Sequence, residues 1–562
     1  MRASWHDFSK ALWAVGGKEH IMKGFIRRAR GAHSIRTPQL RSRDGSTLLY
    51  PLDAHSLYRF ADSRIQGAGT SLYRNGTAVL SGLSGGRLRM VSMPAQSGVQ
   101  DSLFIAGGGP LKKMDDAGSV TNWGITEPGG PASLAETSAG TGALPNGVYR
   151  YKIVFRNTTT GARSNSHLVE SSITIASGPS AVALTNIPVS TDVQVTAREI
   201  YRTQQDGQIY FLAATVSDNL STTYTDNIAD ADLDSVQLQT DNDPPTAQYT
   251  EAWAHEGQMW WCGDPTSGAE GRAYYSPVGR PEAVKGFVDV ANTDDPCQVG
   301  FSFAESNWVM TQKNIYRIVG DDEPYIARKV FQIPGTIYPK TLVVTPFGVV
   351  YQSFDGIRRF DGNSSELVGF EQLGPIFRGQ SLENLDPFVG VVATYAKEEY
   401  LISDGAQTLA FNLRLGTWRD LGLGCSGLFA EEDTENVLAS FTFGVYELED
   451  YGTITDGNDA IEIEWEMGAT LSDISQRTTV QRVFIDIDTS GQLITPTLIL
   501  DNTTVELPTF LTNSREVVEF SVGQTCRLVG IRLSGSVSDV VELFGLEMDL
   551  YVPGGEPSTG RG

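Results

Sequence analysis

The residues of this chain that could carry chemistry are few, and the first of them is a serine between glycines. The string GLSGG at 82–86 matches the G-x-S-x-G pattern that exposes a serine nucleophile on a sharp turn. That turn needs a strand before the serine and a helix after it, whereas the RLRMVSMP that follows alternates as a strand does. We therefore predict a glycine-rich turn at Ser84 and no catalytic serine.

A second candidate is an acidic run that could bind a divalent cation. The string DNIADADLD places Asp230, Asp232 and Asp234 at the alternating spacing that opens a calcium loop. The sixth position of such a loop needs glycine for its turn, and Ser235 stands there. We expect an acidic turn at the end of a strand rather than a metal site.

Acidic and aromatic residues also allow a carbohydrate-binding interpretation. Glycosidases use paired carboxylates, and Asp321, Asp322 and Glu323 form one such acidic group. Trp260 and Trp261 could stack on a sugar, although filling the space between sheets is the commoner use of such residues. Spacing along the chain gives no distance between the acids, so this interpretation is kept as the alternative.

The spacing of cysteines and histidines argues against a metal centre or a disulfide framework. The four cysteines are tens of residues apart without a C-x-x-C, and the six histidines form no H-E-x-x-H. Neither a P-loop (G-x-x-x-x-G-K-[ST]) nor the glycine-rich motif of a dinucleotide-binding fold precedes a helical pattern in the sequence. We predict buried thiols, and no catalytic residue, cofactor, metal or small-molecule substrate.

Length and charge narrow the function classes further. The 562 residues are too many for one hydrophobic core, and 67 acidic against 43 basic residues give a net charge of −24. Such a surface repels nucleic acid and anionic membranes, which excludes a general DNA-coating role. No stretch approaches the roughly 18 apolar residues of a membrane-spanning helix, and the first residues lack the pattern of a secretory signal.

Basic residues are concentrated in an N-terminal arm, residues 1–45. Residues 1–43 hold ten basic and two acidic side chains, a charge of +8 that leaves −32 for the rest. Apolar residues recur at helical spacing on both sides of Gly16-Gly17, which predicts two short amphipathic helices that dock on a partner protein. The predicted docking residues are Phe8, Leu12, Ile21, Phe25, Arg27, Arg28 and Arg30. The alternative is a helical pair packed on its own chain with a solvated basic face.

From residue 46 onward the pattern is that of an all-β protein. Short runs of aromatic and β-branched residues alternate with polar residues and end in Gly, Asp or Asn turns. Between about 310 and 450, an aromatic-rich strand beside a Gly/Asp turn returns roughly every 40 residues, the period of propeller blades. We predict a β-propeller-like core in two parts, 46–127 and 246–454, with unrelated hairpins as the alternative.

Two further β domains and a tail complete the chain. Between breaker-rich segments, residues 140–240 hold about seven strands, which predicts an inserted immunoglobulin- or fibronectin-like sandwich. The strands then lengthen, and the VFIDID at 483–488 alternates as a sheet with one solvated face does. We predict a C-terminal β-sandwich over 455–553 and a flexible tail over 554–562.

Several strings, in this order, resemble one protein family. They are SLYRNGTAVLSGLSGGRLRMVSMPAQSGVQDSLFIAGGGPLKKMDDAGSVTNWGI, RAYYSPVGRPEAVKGF, TPFGVVYQSFDGIRRFDGNS and LAFNLRLGTWRDLG. With the inserted AREIYRTQQDGQIYFLAATVSDNLSTTYTDN and the C-terminal VELFGLEMDLYVPGG, they resemble the tail nozzle proteins of short-tailed bacteriophages. These are also called tail tube or packaged-DNA-stabilisation proteins, and the likeness covers most of the chain.

The resemblance implies a structural, non-enzymatic protein of the virion tail that assembles in the host cytoplasm. The implied partners are five further copies in a homohexameric ring, the phage adaptor ring below the portal, and tail fibres or spikes. Double-stranded DNA would pass through a central channel without specific binding, so the ring would help to retain packaged DNA and conduct it during ejection.

The charge of the chain is compatible with such a channel. Each Lys or Arg that neutralises a phosphate adds salt-dependent affinity, so DNA slides best past a wall that lacks them. A charge of −32 outside the arm fits that requirement, although ordinary solubility charge on a large assembly is the alternative. From a different class, the same modules would suit a carbohydrate-binding adhesin or polysaccharide depolymerase built on a β-propeller.

Overall fold

The structure is a computed structural model, and it is almost entirely β. Strands hold 51% of the residues and helices 2%, which confirms the expected all-β fold. In the part of the chain that the structure describes, no helix is long and apolar enough to cross a membrane. The described residues are 2–6, 8, 28–32, 39–96, 98, 100–320, 323–330, 333–381, 386–441, 443–467, 477–501 and 503–551.

The chain divides into two compact units. Unit 1 comprises Met1–Arg59, Ile65–Gly69 and Thr336–Gly562, and unit 2 comprises Phe60–Arg64 and Thr70–Gly335. The strands are numbered in chain order. The first eight are β1 (Arg2–Trp5), β2 (Arg28–Arg30), β3 (Leu40–Arg41), β4 (Thr47–Tyr50), β5 (Ser56–Phe60), β6 (Ser63–Ala68), β7 (Ser71–Arg74) and β8 (Thr77–Ser81).

In unit 2 the first complete four-stranded sheet lies just before the insertion. Each of its strands pairs antiparallel with the next in the chain. Its inner strand, DSLFIA, is buried from Ser102 to Ala106, and Phe104 and Ala106 belong to an apolar core that includes Trp123 and Trp261. The four strands are β9 (Arg89–Pro94), β10 (Asp101–Ala106), β11 (Lys112–Met114) and β12 (Val120–Asn122).

The insertion is a seven-stranded sandwich. One sheet has the order β13-β16-β19 and the other β15-β14-β17-β18, and both contribute to one apolar core. It begins at Ser133, earlier than the predicted residue 140. The strands are β13 (Ser133–Thr137), β14 (Gly147–Arg156), β15 (Ser171–Ile175), β16 (Ala181–Thr185), β17 (Ala197–Thr203), β18 (Tyr210–Val216) and β19 (Tyr224–Asp226), with a 3-10 turn at Asp230–Asp232.

Two more four-stranded antiparallel sheets complete unit 2. Both follow chain order, and their inner strands QMWWC and SNWVMT are fully buried. Their core joins Trp253 and Trp260 of one sheet to Val309 of the other. The strands are β20 (Glu251–His255), β21 (Gln258–Cys262), β22 (Arg272–Tyr275), β23 (Gly286–Asp289), β24 (Cys297–Phe303), β25 (Ser306–Thr311), β26 (Ile315–Val319) and β27 (Ile326–Val330).

Unit 1 contains three modules of the same kind. The strands β28–β31 form one sheet, β32–β35 form four consecutive strands of a larger sheet, and β36–β38 are completed by β4 from the N-terminal segment. The elements are β28 (Val343–Thr345), β29 (Gly348–Ser353), β30 (Gly356–Phe360), β31 (Ser365–Leu367), α1 (Phe370–Phe377), β32 (Val392–Ala396), β33 (Glu399–Ser403), β34 (Thr408–Asn412), β35 (Thr417–Asp420), β36 (Gly427–Ala430), β37 (Val437–Phe441) and β38 (Gly444–Leu448), with a 3-10 turn at Pro339–Thr341. The sequence analysis missed α1, whose eight residues are too few for a periodic signal.

Three of the repeated sheets begin with a tight, two-residue hairpin. Both central residues of these turns have positive φ: Glu256 and Gly257, Ala304 and Glu305, and Lys397 and Glu398. Positive φ at both central positions is the conformation that matches the right-handed twist of the paired strands. Glu256 and Glu305 are exposed, at the first and the second central position of their turns, so two successive sheets of unit 2 each carry a negative charge in this hairpin.

The rest of unit 1 is a C-terminal sandwich. One sheet has the order β1-β45-β40-β43, with β3 also on β45, and the strands β39-β44-β41-β42 form the other. The side chains of Val483, Ile485 and Ile487 are buried, which confirms the alternation predicted for 483–488. The strands are β39 (Ile461–Met467), β40 (Thr478–Asp488), β41 (Thr495–Leu500), β42 (Thr503–Glu506), β43 (Glu516–Cys526), β44 (Val529–Val537) and β45 (Glu542–Tyr551).

Candidate functional site

Ser84 lies in a loop between β8 and β9. Its hydroxyl oxygen accepts a hydrogen bond from the backbone nitrogen of Gly86 at 3.3 Å, and the chain then enters β9. A nucleophile elbow needs a helix at this point. The stretch 82–94 is fully described and contains a strand instead, as predicted, so Ser84 lacks the setting of a catalytic serine.

A buried arginine, Arg202, is hydrogen-bonded to carboxylates of the acidic run at the end of β19. Asp226 accepts hydrogen bonds from Arg202 Nη1 and from the hydroxyl of Tyr151, each at 2.8 Å. Asp230 accepts one from Arg202 Nη2, also at 2.8 Å. The guanidinium therefore pairs with Asp230, one of the three carboxylates of the predicted loop, and with Asp226 just before it. No group of three or more His, Cys, Asp or Glu residues within the described ranges is arranged to hold a metal ion.

The residues behind the carbohydrate interpretation are placed differently from a sugar platform. Trp260 is 1% exposed and Trp261 is fully buried, so these rings fill the core of unit 2. Glu323 forms an ion pair with Lys285 at 3.1 Å, while Asp321 and Asp322 lie outside the described residues. The tryptophans therefore offer no stacking surface to a saccharide.

The beginning of the N-terminal arm is built into the C-terminal sandwich. Strand β1 pairs antiparallel with β45, with Trp5 opposite Leu546. Phe8 is 1% exposed and belongs to the core of the sandwich. Phe8 was predicted as a docking residue, and this assignment is wrong for the chain as folded, because a side chain buried in its own core is not available to a partner.

The end of the arm is a strand between two sheets. Strand β2 pairs in parallel with β35 through Arg30 and antiparallel with β39, where Arg28 lies opposite Glu466. It thereby joins β32–β35 to the sandwich strands in one nine-stranded sheet. An extended conformation is favoured here because strands on both sides offer backbone partners.

Both arginines of β2 have hydrogen-bond partners within the chain. Arg28 Nη1 donates to Glu464 Oε1 at 2.8 Å, and Arg30 donates to the Gly422 carbonyl at 3.2 Å. Asp420 lies near both arginines, yet burial dominates and raises the pKa of its carboxyl. Arg28 and Arg30 were predicted to supply charge to a partner, and this is corrected: they serve the attachment of the arm.

Two further arginines hold the segment that follows β2. Arg43 is buried and donates to the Leu421 carbonyl at 2.8 Å and to the carboxylate of Asp456. Arg419 donates to Glu399 and Glu449 and, at 3.1 Å, to the Ala32 carbonyl. The sequence analysis missed Arg419, since no local pattern links it to Ala32, which lies 387 positions earlier in the chain.

The four remaining docking residues, Leu12, Ile21, Phe25 and Arg27, lie outside the described residues. The prediction of two amphipathic helices there stays a prediction. The segment 9–27 that contains them is bounded by the buried Phe8 and by the ion-paired Arg28. Both of its ends are therefore held by unit 1.

Comparison with known proteins places the chain in no family. No family model matches, and no curated protein matches. Among solved structures, an extracellular domain from B. thetaiotaomicron assigned to a one component system is 10% identical, with a TM-score of 0.23 over 85% of this chain and 80% of that chain. One assigned to a hybrid two component system is 9% identical, with a TM-score of 0.18 over the same shares. Such low scores carry no argument about fold or function.

Proposed function

We propose that this chain is a structural subunit of the tail nozzle of a short-tailed bacteriophage, and that residues 9–27 dock it onto an adaptor ring. The observation that carries the proposal is the attachment of this segment at both ends. Phe8 lies in the sandwich core, and Arg28 is paired with Glu464 in β2. A segment held at both ends loses less freedom on binding than a free terminus does, which favours a stable contact.

The composition of the segment suits a protein groove with an acidic rim. Residues 9–27 carry four basic and one acidic side chain together with the apolar Leu12, Ile21 and Phe25. Because Arg28 is paired with Glu464 and Arg30 donates to the Gly422 carbonyl within the chain, the docking charge is assigned to Arg27 and the three lysines before it. Apolar anchors give affinity in such a contact, and the charges give orientation and rate.

Features of the rest of the chain are consistent with a role in the wall of a DNA channel. Four-stranded sheets recur in both units, which favours the propeller-like core, and exposed glutamates lie in the first hairpins of two of the sheets in unit 2. A ring of such subunits would present DNA with a surface that repels phosphate, so DNA would move through it without being held. The chain would act through assembly and electrostatics rather than catalysis.

The test is assembly of the purified full chain with the adaptor ring of the same virion, followed by native mass measurement and negative-stain imaging. We expect a closed ring on the adaptor. Replacement of Lys18, Lys23 and Arg27 by alanine should weaken this binding at least tenfold at low salt and reduce its salt dependence. The matched control replaces three half-exposed cations, Lys313, Arg414 and Arg515.

Two results would contradict the proposal. One is a full chain that stays monomeric and ignores the adaptor, and the other is equal binding by the arm variant and its control. Saccharide binding on a glycan array, or release of reducing sugar, would favour the adhesin or depolymerase class instead. The burial of Trp260 and Trp261 removes the aromatic support that this class had in the sequence.

A further inference from the structure

Four apolar side chains are grouped at the β4 end of the sheet β36-β37-β38-β4. Leu48 of β4 lies opposite Tyr446 of β38, and the rings of Tyr446 and Phe441 are 4.9 Å apart. A Cβ built on Gly444 would lie 2.4 Å from Leu48 Cδ1 and 3.3 Å from the ring of Tyr446, so both side chains approach this glycine. Phe443 precedes it in the turn between β37 and β38. We call Leu48, Phe441, Phe443 and Tyr446 the β4 patch.

The β4 patch is accessible to solvent. Phe443 is 80% exposed and Leu48 is 46% exposed, while Phe441 and Tyr446 are half-buried. Among the described strands β4 pairs with β38 alone, so no further strand covers this side of the sheet. Single exposed apolar residues are ordinary, whereas neighbouring ones with a polar rim are typical of contact surfaces, in which aromatic residues are enriched. The β4 patch therefore has the composition of a protein-binding surface.

The rim of the β4 patch is acidic. Burial raises the pKa of the Tyr446 hydroxyl, and the nearby charges of Asp459 and Asp456 raise it further. The turn that contains these carboxylates lies against the same ring, since a Cβ on Gly457 would be 3.2 Å from Tyr446 Cε1. Asp459 is exposed and has no ion pair within the described residues, whereas Asp456 pairs with the buried Arg43.

The surrounding sequence supplies no cation to this surface. Residues 420–476 contain 14 acidic side chains and neither Lys nor Arg. The arginines that reach the sheet from elsewhere each pair with a carboxylate: Arg43 with Asp456, Arg59 with Glu431 and Arg419 with Glu449. In the part of the chain that the structure describes, no cation lies over the three rings of the β4 patch. Aromatic faces and carboxylates both attract cations, so the surface is suited to a cation from another molecule.

We propose that the β4 patch binds a segment of a partner protein in which an arginine or a lysine lies beside an apolar residue. The apolar residue would cover Leu48, and the cation would lie against the exposed ring of Phe443 and near Asp459. Arginine suits such a site best, because its planar guanidinium stacks on rings and pairs with carboxylates. This contact is separate from the adaptor docking assigned to residues 9–27, so it adds a second partner surface to the chain.

The test selects binders to the purified full chain from a displayed library of random nonapeptides. We expect enrichment of peptides that carry Arg or Lys beside an apolar residue. The strongest of them is then synthesised and titrated by calorimetry, together with a version in which citrulline replaces the cation. Citrulline is uncharged, so its version should bind roughly tenfold more weakly, and the binding of the charged peptide should weaken as salt is added.

Two variants of the full chain each change one component of the site. Phe443→Ser removes the exposed ring, and Asp459→Arg places a cation where the acid lies. Each should weaken binding of the strongest peptide by roughly tenfold. The matched control is Phe354→Ser, which removes a phenylalanine that is 65% exposed in the equivalent turn between β29 and β30. Its neighbour Asp355 is already paired with Arg358 at 2.6 Å. Thermal unfolding checks that all three variants fold.

Three results would overturn the proposal. They are a selection that enriches no peptide, enriched peptides that lack a cation, and binding that Phe443→Ser and Asp459→Arg leave unchanged. A wild-type dimer in native mass measurement that Phe443→Ser abolishes would replace the separate partner by a second copy of the chain. Adaptor docking is tested independently, by the variant of Lys18, Lys23 and Arg27, so failure of one proposal leaves the other standing.

Discussion

Arg202 and Asp226 form an ion pair at 2.8 Å in which both side chains are fully buried. The pair lies where β17 meets the end of β19 in the inserted sandwich, and Tyr151 and Asp230 supply further hydrogen bonds to it. Taking two charges out of water is costly, and the cost is offset only when each charge is paired and hydrogen-bonded. Arg202 and Asp226 therefore stabilise the sandwich only when both are present, and the loss of either one leaves a buried charge without its partner.

The first prediction concerns this pair. Arg202→Met should lower the free energy of unfolding of the inserted sandwich by about 3–5 kcal/mol, because Asp226 would stay buried without its cation. The R202M/D226N double variant should recover a large part of that loss. Hydrogen exchange of β17 against urea concentration measures the effect. The control is Arg482→Met, whose side chain is 50% exposed and should cost less than about 1 kcal/mol.

The second prediction is an acid sensitivity of the same domain. Burial alone would raise the pKa of Glu199, but hydrogen bonds from Arg163 and Tyr201 and the charge of Arg156 outweigh it and place this pKa below its usual value. The stabilisation from Glu199 is then present above the pKa of an unfolded Glu, about 4.3, and is lost as the pH falls through the lower folded value.

Unfolding of the inserted sandwich at pH 7 and pH 3 checks this sign. The wild type should lose stability at pH 3, whereas Glu199→Gln should be less stable than the wild type at pH 7 and change less between the two. Glu519→Gln on an exposed strand is the control and should keep the wild-type profile. A Glu199→Gln profile as steep as the wild type would contradict the assignment.

The third prediction separates the two roles within the arm. Phe8→Ala should destabilise the C-terminal sandwich by about 3–5 kcal/mol, because it leaves a cavity in the core. Leu12→Ala should leave the thermal unfolding unchanged and weaken binding to the adaptor ring. Differential scanning calorimetry and a binding titration on the same two variants make the comparison. A Leu12→Ala chain that melts early but binds normally would reverse the assignment.

The fourth prediction concerns the cysteines. All four thiols are buried, and burial raises the pKa of Cys297 and of Cys425 to about 12. Since the thiolate is the reactive form, none should be alkylated by iodoacetamide at pH 8 in the native chain, and all should react in urea. Mass spectrometry counts the adducts. Ser514→Cys, at an exposed position, supplies a positive control for the reagent.

Much of the fold could be predicted from local pattern. Successive side chains of a strand point to opposite faces of a sheet, so the alternation of apolar and polar residues at 483–488 indicates which face is buried. The turn residues after each short strand likewise indicate where the strand ends. The seven strands of the insertion follow from the same signals. The helix α1 was missed, since Leu373, Ile376 and Phe377 are buried by neighbours rather than by a long periodic stretch.

The N-terminal arm shows what local sequence pattern cannot predict. Phe8 has the spacing of a helix face, yet in the structure it is buried in a core whose other members are mostly residues 461–550, more than 450 positions further along the chain. Arg28 and Arg30 have the charge of a docking surface, yet Glu464 and the Gly422 carbonyl neutralise or bind them. A basic side chain in a sequence does not reveal whether its partner lies in another molecule or in its own chain.

The sequence by itself was enough to predict an all-β chain with an inserted sandwich, buried tryptophans and buried thiols. These features follow from the types and the alternation of residues that are close together in the chain. Only the tertiary structure decided that β2 is a strand between two sheets, that β17 buries Arg198, Glu199 and Arg202, and that β43 ends its sheet with one neighbour. Each of these depends on which distant strand lies alongside, and strand pairing across hundreds of residues leaves no local signal.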